Sequence, residues 1–225
     1  MNKTMIAKAD MNYFESSATS ARDDLIDLIP QNVANVLEVG AGVGKMGANL
    51  RRRGFKKIVG IEISKEAGDK ATQYYDELIV GDVENLQLKY PDGYFDCIIY
   101  ADVLEHLIDP WKVIKEQRKY LSEGGCIVAS IPNIRYYKVL RKLVFKGDWD
   151  YQNAGILDRT HLRFFTIKTI KKMFESNGYR ILKIVKKPTC GYIKRIVNEV
   201  FFGLFTDFFV GQYKFLAKVD SNKMQ

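Results

Sequence analysis

Short apolar segments alternate with helix-like segments over residues 35–131, and this alternation constrains the fold more than any other feature of the chain. The apolar segments are rich in Val and Ile and read NVLEVG (35–40), KIVGIE (57–62), ELIVGD (77–82), FDCIIYA (95–101) and GCIVASI (125–131). Near-continuous apolar strands are typical of parallel sheets that are buried on both faces. The sequence therefore predicts an α/β fold with a doubly wound, mainly parallel sheet.

Two further segments near the C-terminus, 179–187 and 212–219, alternate apolar and polar residues as strands do. Because no full strand–helix–strand pattern accompanies them, we expect an antiparallel pair at one edge of the sheet. The chain has 225 residues, which suits one domain spanning 1–225. Within it, residues 1–30 predict an N-terminal helix, and the aromatic, basic segment 134–165 predicts an insertion.

The cysteines and the apolar segments indicate a cellular compartment. Cys97, Cys126 and Cys190 are widely spaced and odd in number, which favours reduced thiols and predicts no metal cluster. The sequence lacks an apolar run of about 18 residues and begins without a signal-peptide pattern. We therefore expect a cytoplasmic protein.

Charge is unevenly distributed along the chain. Residues 1–133 hold 16 Lys and Arg against 20 Asp and Glu, whereas residues 134–225 hold 19 against 7. A basic region beside a mildly acidic one suggests an anionic partner on the basic side. A solvated, lysine-rich surface would give the same pattern, so both interpretations stay open.

A glycine-rich segment, VLEVGAGVGKM (36–46), follows the first predicted strand and is typical of nucleotide sites. An ATPase phosphate loop needs glycine at the position of Val39 and a hydroxyl residue at Met46. A dinucleotide loop needs a small residue where Lys45 stands. Neither pattern fits, and the remaining one is Glu38 followed by Gly40, Gly42 and Gly44.

Acidic residues end three successive predicted strands, at Glu38, Glu62 and Asp82. A carboxylate beside the loop would repel a pyrophosphate but attract the sulfonium and the α-ammonium group of S-adenosylmethionine. A carboxylate at Glu62, about 20 residues beyond the loop, suits the two ribose hydroxyls, and Asp82 suits the adenine amino group. We therefore predict an S-adenosylmethionine site.

Four ordered segments, VLEVGAGVG, IVGIEIS, IVGDVENL and FDCIIYADVLEHLIDP, resemble the motifs of class I S-adenosylmethionine-dependent methyltransferases. The resemblance implies a Rossmann-like sheet of seven strands with the last one antiparallel. It also implies that residues 1–30 fold over the cofactor as a lid and that 134–165 lies on the substrate side. The implied cofactor contacts are Tyr13, Glu38, Gly40, Ala41, Gly42, Gly44, Glu62, Ile63, Asp82, Val83 and Ala101.

Methyl transfer to an alcohol benefits from a general base, and the chain has only two histidines. His106 follows the fourth predicted strand, and His161 lies in GILDRTHLRFFT, so both are candidates; Asp102 is a third. The resemblance implies that Glu105-His106 recurs in methyltransferases with different substrates, so His106 could instead be structural or support the cofactor. Asp102 could only brace its turn. We predict no metal ion.

The segment 147–166 also resembles a narrower branch of methyltransferases that is associated with bacterial cell-surface glycan and sugar assembly. The leading hypothesis is therefore O- or N-methylation of a small or glycan-linked acceptor, namely a sugar, a nucleotide-sugar or a polysaccharide intermediate, with an anionic group held by the basic last third. The candidate substrate residues are Arg159, Arg163, Asn133 and Tyr136. The arginines could equally pair with Asp158.

Three alternatives stay open. RNA methylation would use the same charge together with four aromatic side chains that could stack on bases, namely Tyr136, Tyr137, Trp149 and Tyr151. A cofactor-binding scaffold without turnover is a second alternative. The aromatic segment VFFGLFTDFFVG (200–211) could contact a membrane surface, pack in the core or form a dimer contact, and the oligomeric state stays open.

Overall fold

The computed structural model describes residues 22–189 and 205–220. Within these residues the strands are β1 (Asn35–Val39), β2 (Lys57–Glu62), β3 (Glu77–Val80), β4 (Phe95–Ala101), β5 (Leu121–Pro132), β6 (Tyr179–Val185) and β7 (Gln212–Val219). The α-helices are α1 (Asp23–Ile26), α2 (Lys45–Arg52), α3 (Lys65–Ala71), α4 (Pro110–Gln117), α5 (Tyr137–Lys146), α6 (Ile167–Ser176) and α7 (Thr206–Phe209). Three-residue 3₁₀ turns occupy Thr72–Tyr74, Leu104–His106 and Arg118–Tyr120.

All seven strands form one sheet in the order β3-β2-β1-β4-β5-β7-β6. Strands β1 to β5 pair in parallel, and β7 pairs antiparallel with both β5 and β6. The prediction of a doubly wound, mainly parallel seven-stranded sheet with an antiparallel last strand is confirmed.

The two late strands are neighbours, as predicted, but only β6 lies at the edge of the sheet. β7 lies between β5 and β6. Its alternate side chains Tyr213, Phe215 and Ala217 are fully buried, whereas the residues between them are half-buried, so one face of β7 packs in the core.

Side chains of the central strands pack alternately into two cores, one on each face of the sheet. Leu37 of β1 and Ile98 of β4 contribute to the core that contains α4 and α6 side chains. Val36 and Ile99, their sequence neighbours, contribute to the core on the α2 side. The strands thus need apolar side chains at nearly every position, which explains the apolar runs in the sequence.

Polar side chains fix where several helices begin. Ser64 accepts the backbone N–H of Ala67 at the start of α3 (3.3 Å), and Asp109 accepts that of Lys112 at the start of α4 (2.9 Å), where Pro110 takes the first helical position. Such caps satisfy N–H groups that the first helical turn leaves without a partner. These helices connect the strands whose carboxyl ends build the site.

The predicted N-terminal lid lies largely beyond the described ranges, and the predicted membrane-contacting segment (200–211) is described only from residue 205 onward. Residues 1–21, including Tyr13, and residues 190–204, including Cys190, lie outside them. α1 packs on the sheet through buried Leu25 and Ile26. Among the described helices, none has the length and apolar character that crossing a bilayer requires.

Candidate functional site

The glycine loop between β1 and α2 has a backbone that glycine adopts readily and other residues rarely do. Gly40, Gly42 and Gly44 have φ angles of 80°, 54° and 86°. A Cβ atom on Gly40 would lie 2.6 Å from Val103 Cγ2, so the turns after β1 and β4 approach each other closely. An added Cβ on Gly42, by contrast, would have no atom within 4 Å. The loop is therefore packed at its ends and open at its centre.

Glu62 connects this loop to the end of β2. Its Oε2 accepts the backbone N–H of Gly42 at 2.7 Å, and its Oε1 accepts that of Ser64 at 2.8 Å. Burial raises the pKa of the Glu62 carboxyl, and the backbone donors oppose that rise. The side chain is therefore held beside the open centre of the loop, next to half-buried Ile63.

Glu38, which the sequence predicts at the mouth of the loop, is buried instead. Its side chain is 2% exposed and accepts a hydrogen bond from the Tyr75 hydroxyl at 2.8 Å. Burial raises the pKa of Glu38 to about 8, so the carboxyl is mostly protonated at neutral pH. Contact of Glu38 with a cofactor stays a prediction, as does that of Ala41, which packs in the core near it.

The end of β3 lies beside Glu62, because the N–H of Gly81 donates to the Glu62 carbonyl at 2.8 Å. Asp82 then accepts the backbone N–H of Glu84 (3.0 Å) and the side-chain amide of Asn85 (3.2 Å). Asp82, Val83 and Ala101 are half-buried. Glu62, Asp82, Val83 and Ala101 therefore lie with the glycine loop at the carboxyl ends of β1 to β4, around the point where the strand order reverses between β1 and β4.

Asp102 follows β4 in a left-handed conformation, with a φ of 57°. The Ser130 hydroxyl donates to its Oδ1 at 2.9 Å, and Arg22 and Gln212 donate to its two oxygens. These partners come from three distant parts of the chain and fix the turn, so the arrangement favours the bracing role over that of a base. Neither Arg22 nor Gln212 belongs to a motif, so local sequence patterns could not identify these two partners.

His106 and His161, which are 55 positions apart, lie against each other with ring centroids 4.6 Å apart. His161 Nδ1 lies 2.9 Å from the Ile156 carbonyl, and His106 Nδ1 lies 3.2 Å from the Thr160 carbonyl. Burial, followed by the neighbouring His161, lowers the pKa of His106 to about 4. Both rings are therefore held in fixed orientations in one cluster.

Glu105 completes this cluster, a role that sequence reasoning missed although the residue precedes His106. It is 1% exposed, and neither carboxylate oxygen has a hydrogen-bond partner of ordinary geometry. Burial raises its pKa well above the usual range. Its Oε1 lies 4.0 Å from His161 Nε2.

The four predicted substrate residues divide into two groups. Asn133 is fully buried; its amide donates to the carbonyls of Asp207 (2.7 Å) and Val210 (2.8 Å), so it anchors the segment that contains α7. The Tyr136 hydroxyl donates to the Thr189 carbonyl at 3.1 Å. These placements favour structural roles for Asn133 and Tyr136.

Arg159 and Arg163 form the second group and are exposed. Arg159 donates to the Asn153 side chain, and Arg163 Nε donates to the Ile108 carbonyl at 3.0 Å. Neither pairs with Asp158 in the structure, and Asp158 is instead bound by Thr160. Each guanidinium therefore keeps donors directed toward solvent.

A family model described as "Methyltransferase domain" matches residues 13–184. The chain belongs to this family. It is 24% identical to the mitochondrial ubiquinone biosynthesis O-methyltransferase of Dictyostelium discoideum, over 68% of this chain and 52% of that protein. It is 27% identical to the 27-O-demethylrifamycin SV methyltransferase of Amycolatopsis mediterranei, over 49% and 43% respectively. The chain thus spans about half the length of these curated relatives.

Solved structures share the fold of this methyltransferase domain. A SAM-dependent methyltransferase from Archaeoglobus fulgidus has a TM-score of 0.65 at 20% identity, covering 91% of this chain and 94% of that one. A second, from Mesorhizobium loti, has a TM-score of 0.62 at 16% identity, covering 89% and 98%. S-adenosylmethionine is the cofactor that the family and these neighbours imply. The open space at Gly42, beside the oriented Glu62 carboxylate, fits such a group.

Proposed function

We propose that this protein transfers a methyl group from S-adenosylmethionine to a hydroxyl of a small, anionic, sugar-containing acceptor. The main support for methyl transfer is the glycine loop. Gly42 has open space around it, and its backbone N–H donates to the Glu62 carboxylate. Bound at this loop, the cofactor supplies a methyl group on a sulfonium centre. The chain then has to orient the acceptor, exclude water and receive the hydroxyl proton.

The cluster of Glu105, His106 and His161 is the part of the chain that we assign to the acceptor hydroxyl. It follows β4 directly, and the turn after β4 contacts the glycine loop through Val103 and Gly40. In the described residues it is also the place where both histidines of the chain meet. The proximity of the two turns supports a role in the reaction.

Relatives and charge support the acceptor class. The names of the matched relatives include a ubiquinone biosynthesis enzyme, a rifamycin enzyme and the ajmaline N-methyltransferase of Rauvolfia serpentina, which is 32% identical over 42% of this chain and 34% of that one. These names point to small molecules rather than nucleic acids. The exposed Arg159 and Arg163, together with the basic last third of the chain, favour an anionic group on the acceptor, such as the diphosphate of a nucleotide sugar.

The RNA alternative has less support from the described side chains. Trp149 packs against Phe164 with a centroid distance of 5.5 Å, and Tyr136 and Tyr137 pack against each other at 4.9 Å. Of the four candidate stacking rings, Tyr151 alone is exposed, at 54%. Stacking on bases would require rings that are free to contact them.

Transfer from labelled S-adenosylmethionine onto sugar nucleotides, neutral sugars and RNA tests the proposal. We expect methylation of a sugar nucleotide, with a KM that rises about tenfold in the Arg159→Ala and Arg163→Ala variants while kcat changes less. The matched control is Arg180→Ala, which removes an exposed arginine on β6 at the far edge of the sheet. Labelling of RNA alone, or an unchanged KM in both arginine variants, would contradict the assigned acceptor.

A further inference from the structure

The Glu105 carboxyl group is buried without the partners that such a group requires. It is 1% exposed, and both of its oxygens lack hydrogen-bond partners in the described structure. Nearby Arg22 donates to Asp102, Asp24 and Ser130 instead. A buried carboxylate is costly unless a cation or strong donors compensate it. The orphaned oxygens therefore point to a cation that binds there or to a retained proton.

The two histidines beside Glu105 are oriented as metal ligands usually are. His161 Nδ1 faces the Ile156 carbonyl at 2.9 Å, and His106 Nδ1 faces the Thr160 carbonyl at 3.2 Å. Because a carbonyl can only accept, each Nδ1 must carry the proton, and each Nε2 keeps a free lone pair. A backbone carbonyl on the far nitrogen is the usual support of a metal-binding imidazole.

The Thr160 hydroxyl confirms this protonation state for His106. Thr160 Oγ1 donates to Asp158 Oδ1 at 2.6 Å, so it has a lone pair left for His106 Nδ1 at 3.1 Å. His106 Nδ1 is thus a donor to both oxygens of Thr160. Asp158, itself 1% exposed, supports the ring through this hydroxyl.

The potential ligand atoms converge from two separate parts of the chain. One ligand atom from each of Glu105, His106 and His161 lies within 4.8 Å of the others. The backbone N–H groups of Leu162 and Arg163 both donate to the Glu105 carbonyl, at 2.9 and 3.0 Å. Main-chain bonds therefore hold the His161 segment on the turn after β4, and bonds of about 2.0–2.2 Å to one ion require the three side chains to move closer together.

We propose that Glu105, His106 and His161 bind one divalent first-row transition-metal ion, for which Zn²⁺ is the natural probe. Two imidazole nitrogens and one carboxylate oxygen suit Zn²⁺ and its neighbours, whereas Mg²⁺ prefers an all-oxygen shell. The proposal replaces our expectation, drawn from the cysteines, that the chain holds no metal. Three protein ligands leave a coordination position for water or for an acceptor oxygen.

Metal binding itself does not depend on the proposed function; only a role in activating the acceptor hydroxyl would rest on it. The binding tests below therefore use the chain without cofactor or acceptor. A chain that binds Zn²⁺ stoichiometrically but fails to methylate sugar nucleotides would keep this proposal and contradict the proposed function. An active chain that binds no transition metal would do the reverse.

Equilibrium dialysis with Zn²⁺, on the full chain purified without a polyhistidine tag, is the first test. We expect one tightly bound ion per chain and an affinity at least tenfold lower in Glu105→Gln and in His161→Gln. The matched control is Glu116→Gln, an exposed carboxylate on α4, which should bind as the unaltered chain does. Absence of stoichiometric binding, or equal affinity in all variants, would overturn the proposal.

The second test needs no variant, so it remains decisive if the substitutions unfold the chain. The chain contains two histidines, so its NMR spectrum has two sets of imidazole signals. On titration with Zn²⁺ we expect both sets to shift together and to reach an end point at one equivalent. Imidazole signals that stay unchanged, or that move only with a large excess of metal, would show that the cluster holds a proton instead.

Discussion

At the scale of single residues, Glu62 shows how backbone hydrogen bonds fix the position of a carboxylate side chain. Its two oxygens accept the N–H groups of Gly42 and Ser64, one from the loop and one from the start of the following helix. A carboxylate has acceptors for both donors and further lone pairs for ribose hydroxyls. An amide of the same shape has only one acceptor oxygen.

We therefore predict that Glu62→Gln weakens S-adenosylmethionine binding about tenfold, or about 1.4 kcal/mol, because one backbone N–H loses its acceptor and the negative charge is lost. Isothermal titration calorimetry measures the change. Glu66→Gln, an exposed acid in the first turn of α3, is the control and should bind normally. Equal dissociation constants for the two variants would contradict the ribose assignment.

At the scale of elements, the loop between β1 and α2 uses its glycines for two different purposes. Gly44 begins α2 with a φ of 86°, and an added Cβ would lie 2.6 Å from Tyr74 Cδ2 and 3.0 Å from Ala71 Cα. Gly42 has a similar left-handed backbone but open space around it. One glycine thus allows packing of α2 on the neighbouring turn, and the other leaves room in the crevice.

The two alanine substitutions should therefore have separable effects. We expect Gly44→Ala to lower the free energy of unfolding by about 2–4 kcal/mol, from backbone strain and overpacking together. Gly42→Ala should cost only about 1 kcal/mol of stability but should weaken cofactor binding more than Gly44→Ala does. Urea unfolding and calorimetry on both variants measure this, and identical profiles would refute the distinction.

At the scale of the whole molecule, buried titratable groups make stability depend on pH. Burial raises the pKa of Glu38 to about 8 from its ordinary value of about 4.5, and it lowers that of His106 to about 4 from about 6.5. The folded state therefore binds more protons than the unfolded state at Glu38 and fewer at His106. The contribution of Glu38 to the free energy of unfolding is complete below pH 4.5 and is lost as the pH rises through 8. The contribution of His106 has the opposite sign, because the free energy of unfolding rises with pH between pH 4 and 6.5 as this residue loses its proton in the unfolded state.

Between pH 6.5 and 8 the Glu38 contribution is thus not offset by His106. We predict that the free energy of unfolding falls more steeply with pH in the unaltered chain than in Glu38→Gln, with a difference in slope of up to about 1.4 kcal/mol per pH unit. Urea unfolding without cofactor at several pH values in this window measures both slopes. Parallel slopes would mean that Glu38 does not carry its proton in the folded state.

The sequence by itself determined the sheet and the glycine loop after β1, because both depend on local patterns. Apolar runs identify strands that are buried on two faces, and the glycines of VLEVGAGVG suit left-handed backbone angles at 40, 42 and 44. It also identified both histidines as candidates, since the chain has only two.

Only the tertiary structure decided what those residues contact. The sequence pattern predicts that Glu38 lies at the mouth of the glycine loop. Its side chain instead points inward from β1 and accepts a hydrogen bond from the Tyr75 hydroxyl. The position of Asn133 directly after β5 predicts a substrate contact, yet its side-chain amide donates to backbone carbonyls in and beside α7. Glu105 and His106 contact His161 because the segment around His161, about 55 residues further along the chain, packs against the turn after β4. No local pattern encodes such a contact, because it is set by how the loop packs in three dimensions.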